Sequence, residues 1–270
     1  MIPSSLPFWI RYAANSVAQP MWLENHSWLS APERNELKHF SNAARRRQWL
    51  TARWLCKQVV MQKYSDIDLQ QIEILSRNER ALGTRPAVSV AGKQNGWVLS
   101  IAHNDKGVLV AGTDRRALLG IDLVEHIPKA SAFGKLWFST SEQEWVDEDS
   151  QLRTPLLWAI KEAIYKAVNV DEPWAPRQIE LQPPVHFNSS FSATYFGKSV
   201  EIECLRQFYV EGGLAVIVVL ADGTSSSKSS RSQQSRHVAT HKMRALTLDT
   251  IPRLAQQLNS QTSHHTVRGN

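Results

Sequence analysis

Residues 118–126, LLGIDLVEH, and residues 158–167, WAIKEAIYKA, decide how this chain is read. The first is an aliphatic and β-branched run, so it reads as a largely buried strand. It carries Asp122, and a buried carboxylate needs a charged partner or a metal. Residues two apart in a strand share a face, so Asp122 faces with Val124 and away from Glu125. The second stretch has Trp158, Ile160, Ala163, Ile164 and Ala167 at helical spacing. Its Glu162 and Lys166 are four apart, which suits a helical ion pair. Taken singly, Asp122 reads as a turn cap and Glu162–Lys166 as an exposed pair. Two carboxylates on separate elements, with Lys161 and Lys166 attached, point instead to a metal and phosphate site. Mg²⁺ suits such a site, because it takes one or two carboxylates and fills its shell with water and substrate phosphate.

The 270 residues suffice for one large domain or two small ones, and 42% hydrophobic residues is an ordinary globular value. Ten Trp is a high number and suggests aromatic-rich packing or binding surfaces. The net charge of +6 is unevenly spread. From Asp222 onward seven Lys/Arg stand against two acids, so the body is nearly neutral and a pI of 9.4 is weak support for nucleic-acid binding. Cys56 and Cys204 are far apart, with no His or Cys at metal spacing, which fits a reduced, cytoplasmic protein. The start, MIPSSLPFWIRYAANSVAQP, has neither a basic opening nor a long apolar run and does not read as a signal peptide. The apolar stretch 212–221, GGLAVIVVLA, is too short to span a bilayer and reads as a buried strand.

Three zones follow from the pattern. Residues 1–114 have helical spacing over 31–41 and 42–64, with Ser30 and Glu33 forming a capping box. A strand is expected at 72–76, and a hairpin from WVLSIAH, NDKG and VLVAGTD (97–114). Residues 115–222 hold the strand with Asp122, a short helix capped by Ser139 and Glu142, and the helix over 153–168. Strands QIELQ, FSATYFG, SVEIECLR and LAVIVVL follow. Residues 223–270 are Ser/Gln-rich, basic and poor in apolar residues, so disorder is expected there, with one amphipathic patch interrupted by Pro252. The mixture is α+β with hairpin-linked strands, in two similar halves, and no short repeat is evident.

Other residues gain meaning from position. His103 stands at a strand end beside a turn, and ALGTRP (81–86) puts Arg85 in a Gly/Pro turn. In RRRQWLTARWLCKQ (45–58), Arg46, Trp49, Arg53 and Lys57 fall near one stripe, which reads as a solvated basic face with its Trp packed inward.

In this order the pieces resemble the 4′-phosphopantetheinyl transferases of the larger, two-domain type. The family pattern is an Arg-bearing helix, a GKP- or GRP-like turn, a strand ending in Ser-His, GID, and W-x-x-K-E-x-x-x-K-A. Here it reads RRRQWLTAR, GTRP, SIAH, GID and WAIKEAIYKA, and FSTSEQEWV (138–146) resembles the family's FS…E segment. The likeness covers roughly 33–182. It implies two α/β halves related by a pseudo-twofold, each with a small, largely antiparallel sheet on helices. It further implies a monomer with the site between the halves. It implies transfer of the phosphopantetheine arm of coenzyme A to a serine of an apo acyl or peptidyl carrier protein, with Mg²⁺, releasing adenosine 3′,5′-bisphosphate. By the same resemblance Asp122 and Glu162 hold the metal, with Glu125 or water completing the shell. Glu162, directly or through a water, is the base, and Lys166 acts near the diphosphate. Arg53, Arg85, His103, Lys161 and Lys166 fall in the coenzyme A-binding region. Val124 stands where many two-domain members have a second carboxylate, Ala102 where a Ser is common, and Arg85 where Lys is commoner. Neither a membrane nor a nucleic acid is expected as partner. A family member that binds without transferring, and a nucleic-acid-binding protein using the basic helix and tail, are the alternatives.

Overall fold

The computed structural model describes residues 8–15, 24–64, 66–77, 83–114, 117–125, 131–168, 174–182 and 191–221. The tail assigned to 223–270 lies outside them. The described part has twelve strands: β1 (Trp9–Ala14), β2 (Ile72–Arg77), β3 (Gly83–Val90), β4 (Lys93–Gln94), β5 (Val98–His103), β6 (Gly107–Thr113), β7 (Leu118–Val124), β8 (Ile179–Gln182), β9 (Ser192–Tyr195), β10 (Lys198–Val200), β11 (Ile202–Val210) and β12 (Gly213–Leu220). Its five α-helices are α1 (Ala31–Leu37), α2 (Ala43–Val60), α3 (Ser131–Trp137), α4 (Thr140–Asp147) and α5 (Ser150–Val168). The class is α+β, with four small antiparallel sheets.

The order of elements occurs twice. From β1 the chain runs through α1, α2, a 3₁₀ turn and the sheet β2-β3-β4, then returns as the hairpin β5-β6 with β6 beside β1. From β7 it runs through α4, α5, a 3₁₀ turn and the sheet β8-β9-β10, then returns as β11-β12 with β12 beside β7. Helix α3 is the addition in the second pass. Helix α2 covers one face of the first large sheet through Val59, Val108 and Val110. Helix α5 covers the second through Ile160, Ala163, Val216 and Val218. The other faces meet in a shared core of Leu109, Ala111, Leu119, Ile121, Ala215 and Ile217. The layers are therefore helix, sheet, sheet, helix.

Side chains repeat as well as elements, in line with the two similar halves expected from the sequence. Ser30 caps α1 and Ser139 caps α4, each in a capping box with the third helical residue, Glu33 or Glu142. Glu33 Oε2 meets Lys57 Nζ of α2 at 2.7 Å, and Glu142 Oε2 meets Lys161 Nζ of α5 at 2.6 Å. Lys57 also donates to the carbonyls of Trp28 and Leu69, and Lys161 to those of Trp137 and Pro176. The second carboxylate oxygen of Glu33 accepts from Ile74 N of β2, and that of Glu142 from Leu181 N of β8. The sequences behind these two knots are WLSAPE with WLCK, and WFSTSE with WAIK.

Both lysines are fully buried, and burial pulls their pKa values down against the pull of the paired glutamate. Breaking such a pair costs about 3–5 kcal/mol, because one charge is left uncompensated. Each knot thus fixes the rotation of a long helix against a short helix and a strand. The stripe read as a solvated basic face is accordingly buried: Lys57 is 0% and Arg53 1% exposed. The turn read at 81–86 also needs correction over its described part. Gly83 to Pro86 open β3, and Pro86 falls where the β2–β3 register shifts, between the pairs Leu75↔Ala87 and Arg77↔Gly83. Proline is tolerated in a strand at such an irregularity, since no ladder donor is needed there.

Candidate active site

Gly120 decides how closely α5 can lie on β7. A Cβ at Gly120 would sit 1.7 Å from the carbonyl oxygen of Ala163 and 2.8 Å from Ala167 N. Only a residue without a side chain lets the helix backbone rest on the strand. Asp122 is two residues further along β7, on the same face, and so points at the same helix. Lys166 Nζ meets Asp122 Oδ1 at 2.7 Å. Glu162 lies one helical turn before Lys166 and feels both charges. Burial and the negative charge of Asp122 raise its carboxyl to about 7, although Lys166 pulls the other way. Its proton is thus held much nearer neutral pH than that of an ordinary carboxyl, which suits a group that exchanges protons.

His103, at the end of β5, completes the cluster. Its Nε2 lies 2.7 Å from Arg45 Nη1 on α2. Burial lowers its pKa to about 4, helped by Arg45 and then Lys166, while Asp122 opposes. The ring edge is still open to solvent. A neutral ring accepts from Arg45 at Nε2 and carries its proton on Nδ1. Two further bonds hold β5 against the second sheet. Ile121 N of β7 donates to Ser100 Oγ at 3.1 Å, and Asn104 Nδ2 donates to Gly212 O at 2.6 Å. Thus α2, β5, β7 and α5 each supply one wall.

The residues expected at the site divide. Asp122, Glu162, Lys166 and His103 come together. Glu125 lies just past the end of β7 and is exposed. Lys161 is held inside the second knot with three acceptors, so its ammonium has no donor to spare for a ligand. Arg53 pairs with Glu36 at 3.0 Å, donates to Ser76 and stacks on the Trp49 ring. The geometry gives both residues structural work. Arg85, half-buried, bonds the last carbonyls of α5. Arg45 and Ser100 are site residues that sequence reasoning missed. Only the place of Ser100 within SIAH and of Arg45 within RRR hinted at them.

Residues 118–213 match the model of the 4′-phosphopantetheinyl transferase superfamily. The matched span begins at the first residue of β7 and ends at the first of β12. It therefore contains Gly120, Asp122, Glu162 and Lys166 and excludes His103 and Arg45. The match makes this span, which is most of the second pass of the fold, similar to that superfamily. No curated protein matches the chain. Among the described residues no helix is long and apolar enough to cross a membrane.

Proposed function

We propose that this protein transfers the 4′-phosphopantetheine arm of coenzyme A to a serine of an apo acyl or peptidyl carrier protein, with Mg²⁺, as a two-domain member of the superfamily. The observation that carries the reading is the convergence of Asp122, Glu162 and Lys166 over Gly120. The repeated element order supports two halves, 1–114 and 115–222, related by a pseudo-twofold, acting as a monomer. The free cysteines Cys56 and Cys204 support a cytoplasmic setting.

The donor set fits a hard divalent cation. Burial, with a smaller push from Asp122, raises the Glu162 carboxyl to about 7, and a cation between the two carboxylates would offset both effects. Among the described residues no cluster of three His, Cys, Asp or Glu forms, so two carboxylates with water and substrate phosphate would make up the shell. Asp122 and Glu162 would hold the ion, with Glu125, just past the end of β7, or water completing the shell. Bound there, the metal supplies positive charge against the diphosphate.

The rest is done by this chain's own groups. Glu162 takes the proton of the carrier serine hydroxyl, directly or through a water. The serine oxygen forms a bond to the phosphorus bearing pantetheine, and the bond from that phosphorus to the oxygen of adenosine 3′,5′-bisphosphate breaks. Lys166 stabilises negative charge on the leaving group, where it is worth most. Arg45 and neutral His103 present donors on the facing wall. Incubation of the protein with coenzyme A, Mg²⁺ and several apo carriers, read by intact mass, tests this. A gain of one phosphopantetheine group on a carrier is expected; no gain on any of them points to a member that binds without transferring.

A further inference from the structure

Arg85 extends from β3, in the first pass of the fold, to the end of α5, in the second. Its Nη2 donates to the carbonyl of Ala167 and, at 3.4 Å, to that of Lys166. The last carbonyls of a helix have no partner within it and carry the negative end of its dipole, so a guanidinium is favoured there. Burial removes part of the arginine's hydration and lowers its pKa, which makes the bonds it keeps matter more. Lys166 is thereby held at both ends, its carbonyl by Arg85 and its ammonium by Asp122 at 2.7 Å. The register shift at the start of β3, with Pro86 fixing the backbone beside Arg85, aims the side chain across.

We infer that Arg85 is a positioning residue, a clamp that seats the last turn of α5 on the first half so that Lys166 stays aligned with Asp122. The role needs arginine. One nitrogen, Nη2, faces both carbonyls and is held there by the fixed plane of a weakly hydrated guanidinium, whereas lysine ends in a strongly hydrated point charge on a flexible stem. This also gives a physical sense to Arg85 where the family more often has Lys. The clamp competes with the expectation that Arg85 binds a coenzyme A phosphate, a task that lysine performs equally well.

The test uses full-length R85K and R85Q beside wild type. Amide hydrogen exchange without coenzyme A reads the clamp directly and does not depend on the transferase reading. Faster exchange in the last two turns of α5 is expected in R85K, with R85Q, which keeps an amide donor but loses the charge, no slower than R85K. In transfer assays R85K should lose at least about tenfold in kcat, the scale of a small misplacement of a catalytic group, while KM for coenzyme A stays within about twofold. Unchanged exchange in both variants overturns the clamp, as does an R85K that raises KM for coenzyme A at full kcat. If R85K fails to fold, the exchange profile of R85Q decides alone. A wild type that modifies no carrier contradicts the transferase reading and leaves the exchange result to decide the clamp.

Discussion

Gly120 of β7 and Ala163 of α5 touch backbone to backbone: a β-carbon on Gly120 would fall 1.7 Å from the Ala163 carbonyl oxygen. The obstacle is main chain, so no side-chain rotation relieves it. Gly120→Ala should push α5 off the strand, separate Lys166 and Glu162 from Asp122, and destabilise the protein by about 1–3 kcal/mol or more, as overpacking does. Chemical denaturation should show the loss, and transfer should fall further than the loss of folded protein explains. A Gly120→Ala protein of normal stability and activity would mean the helix can retreat without harm to the site.

Glu162 makes stability depend on pH. Its carboxyl titrates near 4.5 when unfolded and near 7 when folded. Between those values the folded state holds the additional proton, so stability falls as pH rises through that window. At about 1.4 kcal/mol per unit the full cost above pH 7 is about 3 kcal/mol. Metal-free Glu162→Gln protein, assayed with a chelator present, should therefore exceed wild type in stability at pH 8 and match it near pH 4.5. Added Mg²⁺ should stabilise wild type and not the variant, because binding to the folded state alone shifts the equilibrium. Equal stability of the two proteins at pH 8 would contradict this.

The twin knots provide their own control. Lys57→Met and Lys161→Met should each cost about 3–5 kcal/mol, since each strands a buried glutamate. Removing both partners, as in Glu33→Gln with Lys57→Met, should recover part of that. Only the second knot is followed by the glutamate proposed as base. Position 162 is Glu and position 166 is Lys, whereas the matching positions after Lys57 are Gln58, in α2, and Gln62, just past its end. Under conditions where both variants are folded, Lys161→Met should lower kcat and Lys57→Met should not. Equal kinetic loss in the two would show that the knots act on stability alone.

How much of this was legible beforehand depended on the kind of residue. Asp122 on a strand face and Glu162 and Lys166 on one helical stripe follow from periodicity, and the structure places them so; Glu125 falls past the end of β7, where alternation no longer applies. The capping boxes at Ser30 and Ser139 were readable, but not their identity as two copies of one motif. WLSAPE and WFSTSE share few letters, and the intervals to WLCK and WAIK differ in length. Lys57 and Arg53 were assigned to the surface because charge usually seeks water, and nothing local reveals the distant Glu33 and Glu36 that make burial tolerable. Strand β1 was obscured by its polar Arg11 and Tyr12, and β3 by its Gly and Pro. Arg45 is one of three adjacent arginines, and sequence offers no reason to single it out.

His103 should stay neutral through the physiological range. Burial, Arg45 and Lys166 hold its pKa near 4, so its ring resonances should show no titration between pH 5 and 8 in NMR. Arg45→Ala removes a neighbouring positive charge and should move the titration upward, toward 6.5. A wild-type ring that titrates near 6.5 would contradict the packing of this wall.

The central claim is that Glu162, with Asp122, carries out the transfer. The most direct test is the single-turnover rate of Glu162→Gln, an isosteric change, on a carrier that wild type modifies, followed by intact mass with coenzyme A and Mg²⁺. Loss of the proton acceptor should lower the rate by about 10²–10⁴-fold, the usual range for a general base. The circular dichroism spectrum should be unchanged, and Glu125→Ala should show a milder loss. A folded Glu162→Gln protein that loads the carrier at the wild-type rate would contradict the account.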